Sequence, residues 1–126
     1  MRYNEITRRY FEAAPGAGIL VGENVRRGTA GNRERGTWVQ FDLQAAAEVT
    51  AARFLCFGCP HTIAICAWVA DTAPGRPLVA ALAEDVRTLS ARFGVPEEKM
   101  GRLLVIEDAW VAAVRRHCEW PVSPHS

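Results

Sequence analysis

The sequence predicts an α+β fold: an N-terminal helix, a three-stranded antiparallel sheet, and then C-terminal helices packed on one face of that sheet. Two features of the hydropathy pattern carry this prediction. Apolar and polar residues alternate ahead of Phe57, and from Gly58-Cys59-Pro60 onward the apolar spacing becomes helical. Size is the third feature. The 126 residues, 49% hydrophobic and 23% charged, make one domain that can bury a core without disulfide or metal staples. No repeat or linker divides them, so residues 1–126 read as a single domain.

Tyr3, Ile6 and Tyr10 recur at helical spacing opposite Arg8 and Arg9, which predicts a short amphipathic helix ended by Ala14-Pro15-Gly16-Ala17-Gly18. A first strand is expected over Ile19 to Arg27, running into Gly28-Thr29-Ala30-Gly31. The clearest strand holds Val39, Phe41 and Leu43 in alternation with Trp38, Gln40 and Asp42. Val49 to Phe57 follows as the third, and the short polar links favour an antiparallel meander. Pro60 to Ala70 is apolar almost all round, as in a helix buried on most sides. After a loop at Thr72-Ala73-Pro74-Gly75-Arg76, Pro77 suits a first helical position. Leu78, Leu82, Val86, Leu89 and Phe93 then keep one stripe up to Gly94, with a break near Glu84. Pro96 opens the last helix, whose Met100, Leu103, Leu104, Trp110, Val111 and Val114 are expected to face inward.

The 15 basic and 14 acidic residues leave a formal charge of +1, which gives no reason to expect a nucleic-acid or membrane partner. Met1 to Arg9 lack the apolar run of a signal peptide, and Ile63 to Ala70 is too short to cross a bilayer, so a cytoplasmic location is expected. Cysteines in that compartment are reduced thiols, open to metal, sulfur or redox chemistry. Cys59 lies at the strand-to-helix junction, where orphan N–H groups and the helix dipole favour a thiolate. Its placement suits a reactive cysteine or a ligand rather than a residue that only fills the turn. Cys56 completes a C-x-x-C with it but falls in the strand's core set; Cys66 is mid-helix core and Cys118 an exposed bystander. With no second C-x-x-C, a structural zinc site has no support. His61 is either a second ligand or proton carrier beside Cys59, or a surface histidine of the first helical turn. Of Glu107-Asp108, one carboxylate is expected in solvent and the other paired with an arginine.

The order of elements and several motifs together resemble the iron-sulfur cluster scaffold family of IscU and the NifU N-terminal domain. They are Phe11-Glu12 with Gly18-x-Leu20, Gly31 with Arg35-Gly36-Thr37, and Ala52-Arg53-Phe54 leading to Phe57-Gly58-Cys59 and Ile63-Ala64. Val95-Pro96-Glu97-Glu98-Lys99 and Glu107-Asp108-Ala109 complete the set. The resemblance implies a SufE/NifU-like fold and a role in iron-sulfur cluster assembly as a scaffold or carrier, not an enzyme. Such scaffolds hold a nascent cluster on three cysteines and an aspartate, with sulfur supplied by a cysteine desulfurase. Here the family's Ala-Cys-Gly-Asp reads Glu34-Arg35-Gly36-Thr37, and its His-Cys reads Gly101-Arg102. Cys59 is the one retained ligand position. Arg35 and Arg102 are thereby expected to surround Cys59 in space, lining with Thr37 a cationic pocket that lowers the Cys59 thiol's pKa, and Cys59 with His61 are the residues to which iron, zinc or an iron-sulfur cluster would bind. Glu34, His61 and Asp108 are the side chains left to make up for missing ligands. Implied partners are a cysteine desulfurase, other assembly proteins and a chaperone docking on Val95–Lys99. Because a single cysteine also suffices in SufE-type sulfur acceptors, two alternatives stand beside the scaffold: a persulfide acceptor on Cys59, and a metal-free interaction module.

Overall fold

The computed structural model of the protein describes residues 3–119, with side chains up to Arg115. Helix α1 spans Glu5–Ala13 and starts at Asn4, whose side chain accepts a hydrogen bond from the Thr7 N–H. It ends where Ala14 turns left-handed at φ 42°. The fully buried Thr7 hydroxyl donates to the Phe93 carbonyl at 2.6 Å, and Asn4 Nδ2 donates to the Arg92 carbonyl at 3.0 Å. These two bonds tie the first helix to a turn almost ninety residues later.

Strands β1 (Arg26–Asn32), β2 (Thr37–Ala45) and β3 (Val49–Phe57) form one antiparallel sheet in that order. Helices α2 (Pro60–Thr72), α3 (Val86–Phe93) and α4 (Met100–Glu119) follow, so the expected α+β order is present. α4 lies across β1 and β2, and α2 across β3. Between them Val39, Phe41 and Leu43 of β2 meet Ile65, Leu103 and Ile106 in a core closed to solvent.

The opposite sheet face carries a buried carboxylate. Asp42 is inaccessible to solvent and receives Arg27 Nε at 2.7 Å, Arg27 Nη2 at 2.8 Å, the Leu20 N–H at 3.0 Å and Gln40 Nε2 at 3.3 Å. The Leu20 bond pins the chain between α1 and β1 onto the sheet, and the Arg27 bonds join β1 to β2.

The structure corrects three expectations. The first strand is Arg26–Asn32, not Ile19 to Arg27. Residues 16–18 instead run along the β3 edge, with Gly16 and Gly18 bonded to Phe54, and Gly16, Gly18 and Gly22 all take positive φ, which breaks an extended run. The sequence gives little sign of β1 because its inward positions are Arg26, Gly28 and Ala30, with no large apolar side chain among them. At Gly28 a Cβ would run into the backbone of Ala113 and would stand 2.6 Å from the Ala109 carbonyl oxygen. Only glycine lets α4 lie this close.

The second correction concerns the helix expected from Pro77, which starts only at the Asp85 cap, where Asp85 Oδ1 accepts the Thr88 N–H at 2.8 Å. Residues 75–78 are bonded to the β2–β3 turn instead: Gly75 N–H to Val49, Val49 N–H to Arg76, and Leu78 N–H to Ala47. Thirdly, Leu104 is 49% exposed. The inward stripe of α4 is Leu103, Ile106, Trp110 and Ala113, at steps of three and four, and Leu104 falls off its edge.

Gly28→Ala should therefore destabilise the fold by about 1–3 kcal/mol or more through overpacking against α4. Gly101→Ala, whose Cβ would meet nothing within 4 Å, should be neutral or stabilising by up to ~1 kcal/mol. Urea titration of both variants reads the contrast; equal midpoints would show that the Gly28 contact carries no constraint.

Candidate functional site

Cys59 is the N-cap residue of α2, with Pro60 in the first turn and its carbonyl accepting the Ile63 N–H at 3.0 Å. The extended backbone at Cys59 (φ −81°, ψ 168°) turns the thiol back over the helix N-terminus, where Sγ lies 3.5 Å from Thr62 Oγ1. Gly58 leaves the room: a Cβ there would be 3.2 Å from the Thr62 side chain. Half-burial pushes the Cys59 thiol up. The Thr62 hydroxyl, the N–H groups of Thr62 and His61, and the charge of Lys99 pull it down, and the net result is below the ordinary thiol value.

The other cysteines diverge from it. Cys66 is fully buried in α2, and burial together with Cys56 across the β3–α2 interface pushes its thiol well up. Cys56 is half-buried. The side chain of Cys118 lies outside the described residues.

His61 is not the surface histidine of one sequence reading: it is 2% exposed, with its ring edge-on to Tyr3 at 4.8 Å. Its Nδ1 is buried without a hydrogen-bond partner among the described residues. Burial, followed by the Lys99 charge, lowers its pKa against the opposing Gly94 carbonyl, which favours the neutral ring. Glu107 is half-buried and Asp108 exposed, and among the described residues neither is ion-paired, contrary to the expected arginine pairing.

Arg35, Arg102 and Thr37 line a common cavity of about 420 Å³ together with Gly31, Asn32, Gly101 and Val105. Arg35 ends a single 3-10 turn, Arg33–Arg35, started by Asn32, whose Oδ1 accepts the Arg35 N–H at 2.8 Å. Gly36 closes the turn at φ 93° and leads into Thr37 of β2. Arg102 comes from the first turn of α4. Thr37 is 4% exposed, and its hydroxyl has no hydrogen-bond partner among the described residues.

The structure thus brings Arg35, Arg102 and Thr37 together, while Cys59 is not among the residues lining their cavity. Contrary to expectation, neither Arg35 nor Arg102 figures among the charges acting on Cys59; the cation that does is Lys99, from the 3-10 turn that leads into α4. Thr62 and Lys99 were not singled out for Cys59 from sequence. A cap residue followed three positions later by a hydrogen-bonding side chain is the spacing that would have found Thr62; Lys99 carries no comparable local signal.

Iron-sulfur clusters take cysteine thiolates, ordinarily four protein ligands. Among the described residues no group of three or more His, Cys, Asp or Glu side chains converges as a metal site. Guanidinium groups offer donors and no lone pair. The side chains at positions 35, 37, 59 and 102 therefore do not fit a cluster or a zinc ion held within one chain.

A lowered thiol pKa means that the Cys59 thiolate persists to lower pH than an ordinary cysteine's. Iodoacetamide rates against pH should show Cys59 reacting below the free-thiol midpoint and faster than Cys66. Lys99→Ala and Thr62→Val should each move the Cys59 midpoint upward, and Lys99→Ala should move it more than Arg35→Ala does. A midpoint insensitive to both changes would refute this account of the thiolate.

Residues 2–121 match the family described as the NifU-like N terminal domain. Among solved structures, the chain is similar to a putative iron-sulfur cluster assembly scaffold protein for the SUF system, FiSufU, from thermophilic Fervidobacterium islandicum AW-1. The TM-score is 0.70 at 14% identity, over 89% of this chain and 96% of that one. It is also similar to a hypothetical protein, with TM-score 0.67 and 14% identity over 88% of this chain and 95% of the other. At such identities these two likenesses speak for the fold. A comparison with curated proteins gave no match. The family match spans nearly the whole chain, its helix, sheet and helices keep the order described above, and the protein belongs to the NifU-like N-terminal domain family.

Proposed function

We propose that this protein works in iron-sulfur cluster assembly as a carrier of sulfur on Cys59, and that it is not itself an enzyme. The assembly role rests on membership of the NifU-like family. One observation carries the choice of sulfur carrier over cluster holder. By the resemblance, Cys59 is the single family ligand that remains, a thiol lowered by Thr62 and Lys99 against its burial, while the other two cysteine positions hold Arg35 and Arg102. A lone activated thiolate supports transfer of a sulfur atom; it does not support a cluster that needs several thiolates.

The step balances without a redox partner. The Cys59 thiolate attacks the outer sulfur of a donor persulfide, such as that of a cysteine desulfurase. A new S–S bond forms on Cys59, the donor's S–S bond breaks, and the donor cysteine departs as a thiolate. The Thr62 hydroxyl and the α2 N-terminus hold the attacking sulfur in its anionic form.

Lys99 belongs to the segment Val95–Lys99 that is the proposed chaperone contact. Val95 is buried there, so Glu97 and Glu98 form the exposed part of that contact.

Incubation with a cysteine desulfurase and free cysteine, followed by intact mass under non-reducing conditions, tests the reading. One added sulfur atom is expected, absent in Cys59→Ser, retained in Cys56→Ser and acquired more slowly in Lys99→Ala. No added sulfur on the unmodified protein, or sulfur that survives Cys59→Ser, would overturn the carrier assignment.

A further inference from the structure

We propose that the cavity between the Arg33–Arg35 turn and the first turn of α4 is a binding site for a small phosphate monoester, its phosphate held by Arg35, Arg102 and Thr37. This goes beyond the sulfur-carrier reading and does not depend on it, because Cys59 does not line the cavity.

Charge is the first argument. Two arginines, permanently ionised, are among the residues that line one cavity, and no Asp or Glu lines it with them. Neither arginine has an ion-pair partner among the described residues. A single carboxylate occupies one guanidinium fork, whereas a phosphate monoester carries nearly two charges and three terminal oxygens, enough for both arginines.

The second argument is independent of charge. The Thr37 hydroxyl is buried with no protein partner among the described residues, and an unpaired buried hydroxyl costs free energy that an acceptor oxygen would recover. A phosphate oxygen accepts that proton. A metal cation would be repelled by both arginines and would find no thiolate, imidazole or carboxylate in the lining.

Space and backbone agree. Asn32 and Gly36 fix the Arg35 turn, and Arg102 rides on a helix, so the two cationic arms start from rigid positions. A volume of about 420 Å³ falls in the range of small-molecule sites and leaves room for an organic group beyond the phosphate. At Gly101 a Cβ would touch nothing within 4 Å, so this wall of the cavity is open, and a larger residue there would fill it without disturbing the packing.

The test is calorimetric titration of the full chain with glycerol phosphate at fixed ionic strength, beside inorganic phosphate, glycerol and acetate. Saturable one-to-one binding of glycerol phosphate is expected, tighter than inorganic phosphate, with none for glycerol or acetate. Arg35→Gln and Arg102→Gln should each weaken it about 10- to 100-fold, as loss of a charged hydrogen-bond donor does. Thr37→Val should weaken it less, Gly101→Leu should abolish it while circular dichroism and melting stay native, and Cys59→Ser should leave it unchanged. Absence of saturable binding, or binding indifferent to both arginine substitutions, would overturn the site. Inorganic phosphate binding as tightly as the ester would overturn the monoester assignment, with an isolated oxyanion as the ligand instead.

Discussion

The close approach of α4 to β1 at Gly28 is the constraint on which the functional end of the molecule depends. Backbone atoms of Ala109 and Ala113 occupy the space that any side chain at position 28 would need. The contact fixes the height and track of α4 over the sheet, and everything at the start of that helix inherits its position. Val105 closes on Gly31, Arg102 comes to face the Arg35 turn and Thr37, and the preceding Lys99 acts on Cys59. Asp42 does the equivalent work on the other sheet face, where it holds Leu20 of the chain that leads into β1 and Arg27 of β1 itself. Helix and strand are thus located from both sides before any functional side chain is considered.

Two groups of residues of different chemistry result, one soft and one hard. At Cys59 burial pushes the thiol's pKa up, and a hydroxyl, two backbone N–H groups and one ammonium together bring it below the ordinary value. At Arg35 and Arg102 there is no nucleophile, only fixed positive charge and an unsatisfied hydroxyl. The resemblance to cluster scaffolds implies that positions 35, 37, 59 and 102 correspond to one ligand set. Exchange of two cysteines for arginines divides it, since a guanidinium repels a metal cation and attracts an oxyanion. The fold is retained through this exchange because neither arginine takes part in the core: Arg35 is exposed on a turn and Arg102 is half-buried at a helix start.

What was legible in the sequence follows from how much each element relies on its own side chains. Strand β2 alternates because Val39, Phe41 and Leu43 fill the core, and α2 is apolar all round because it is buried from His61 to Ala70 save for Ile63. Strand β1 was misplaced because glycine and alanine meet the helix there, and small residues leave no hydropathy signal. The helix expected from Pro77 was lost to long-range hydrogen bonds between residues 75–78 and the β2–β3 turn, which no local pattern records. At the site, the position of Cys59 at a helix start could be read from Gly58 and Pro60. Its cationic neighbour could not, because Lys99 reaches it only through the packing of α4, forty residues away in sequence.

The central proposal, that this member of the family carries a single thiolate and a cationic cavity in place of a cluster site, is tested most directly by iron retention. The protein is incubated anaerobically with iron, sulfide and reductant, desalted over chelator, and assayed for visible absorption, iron content and mass in solution. The account predicts a colourless, iron-free monomer for the unmodified chain and retained absorption with bound iron when Arg35→Cys and Arg102→Cys are combined. An unmodified monomer that keeps a stoichiometric cluster through the chelator would contradict it.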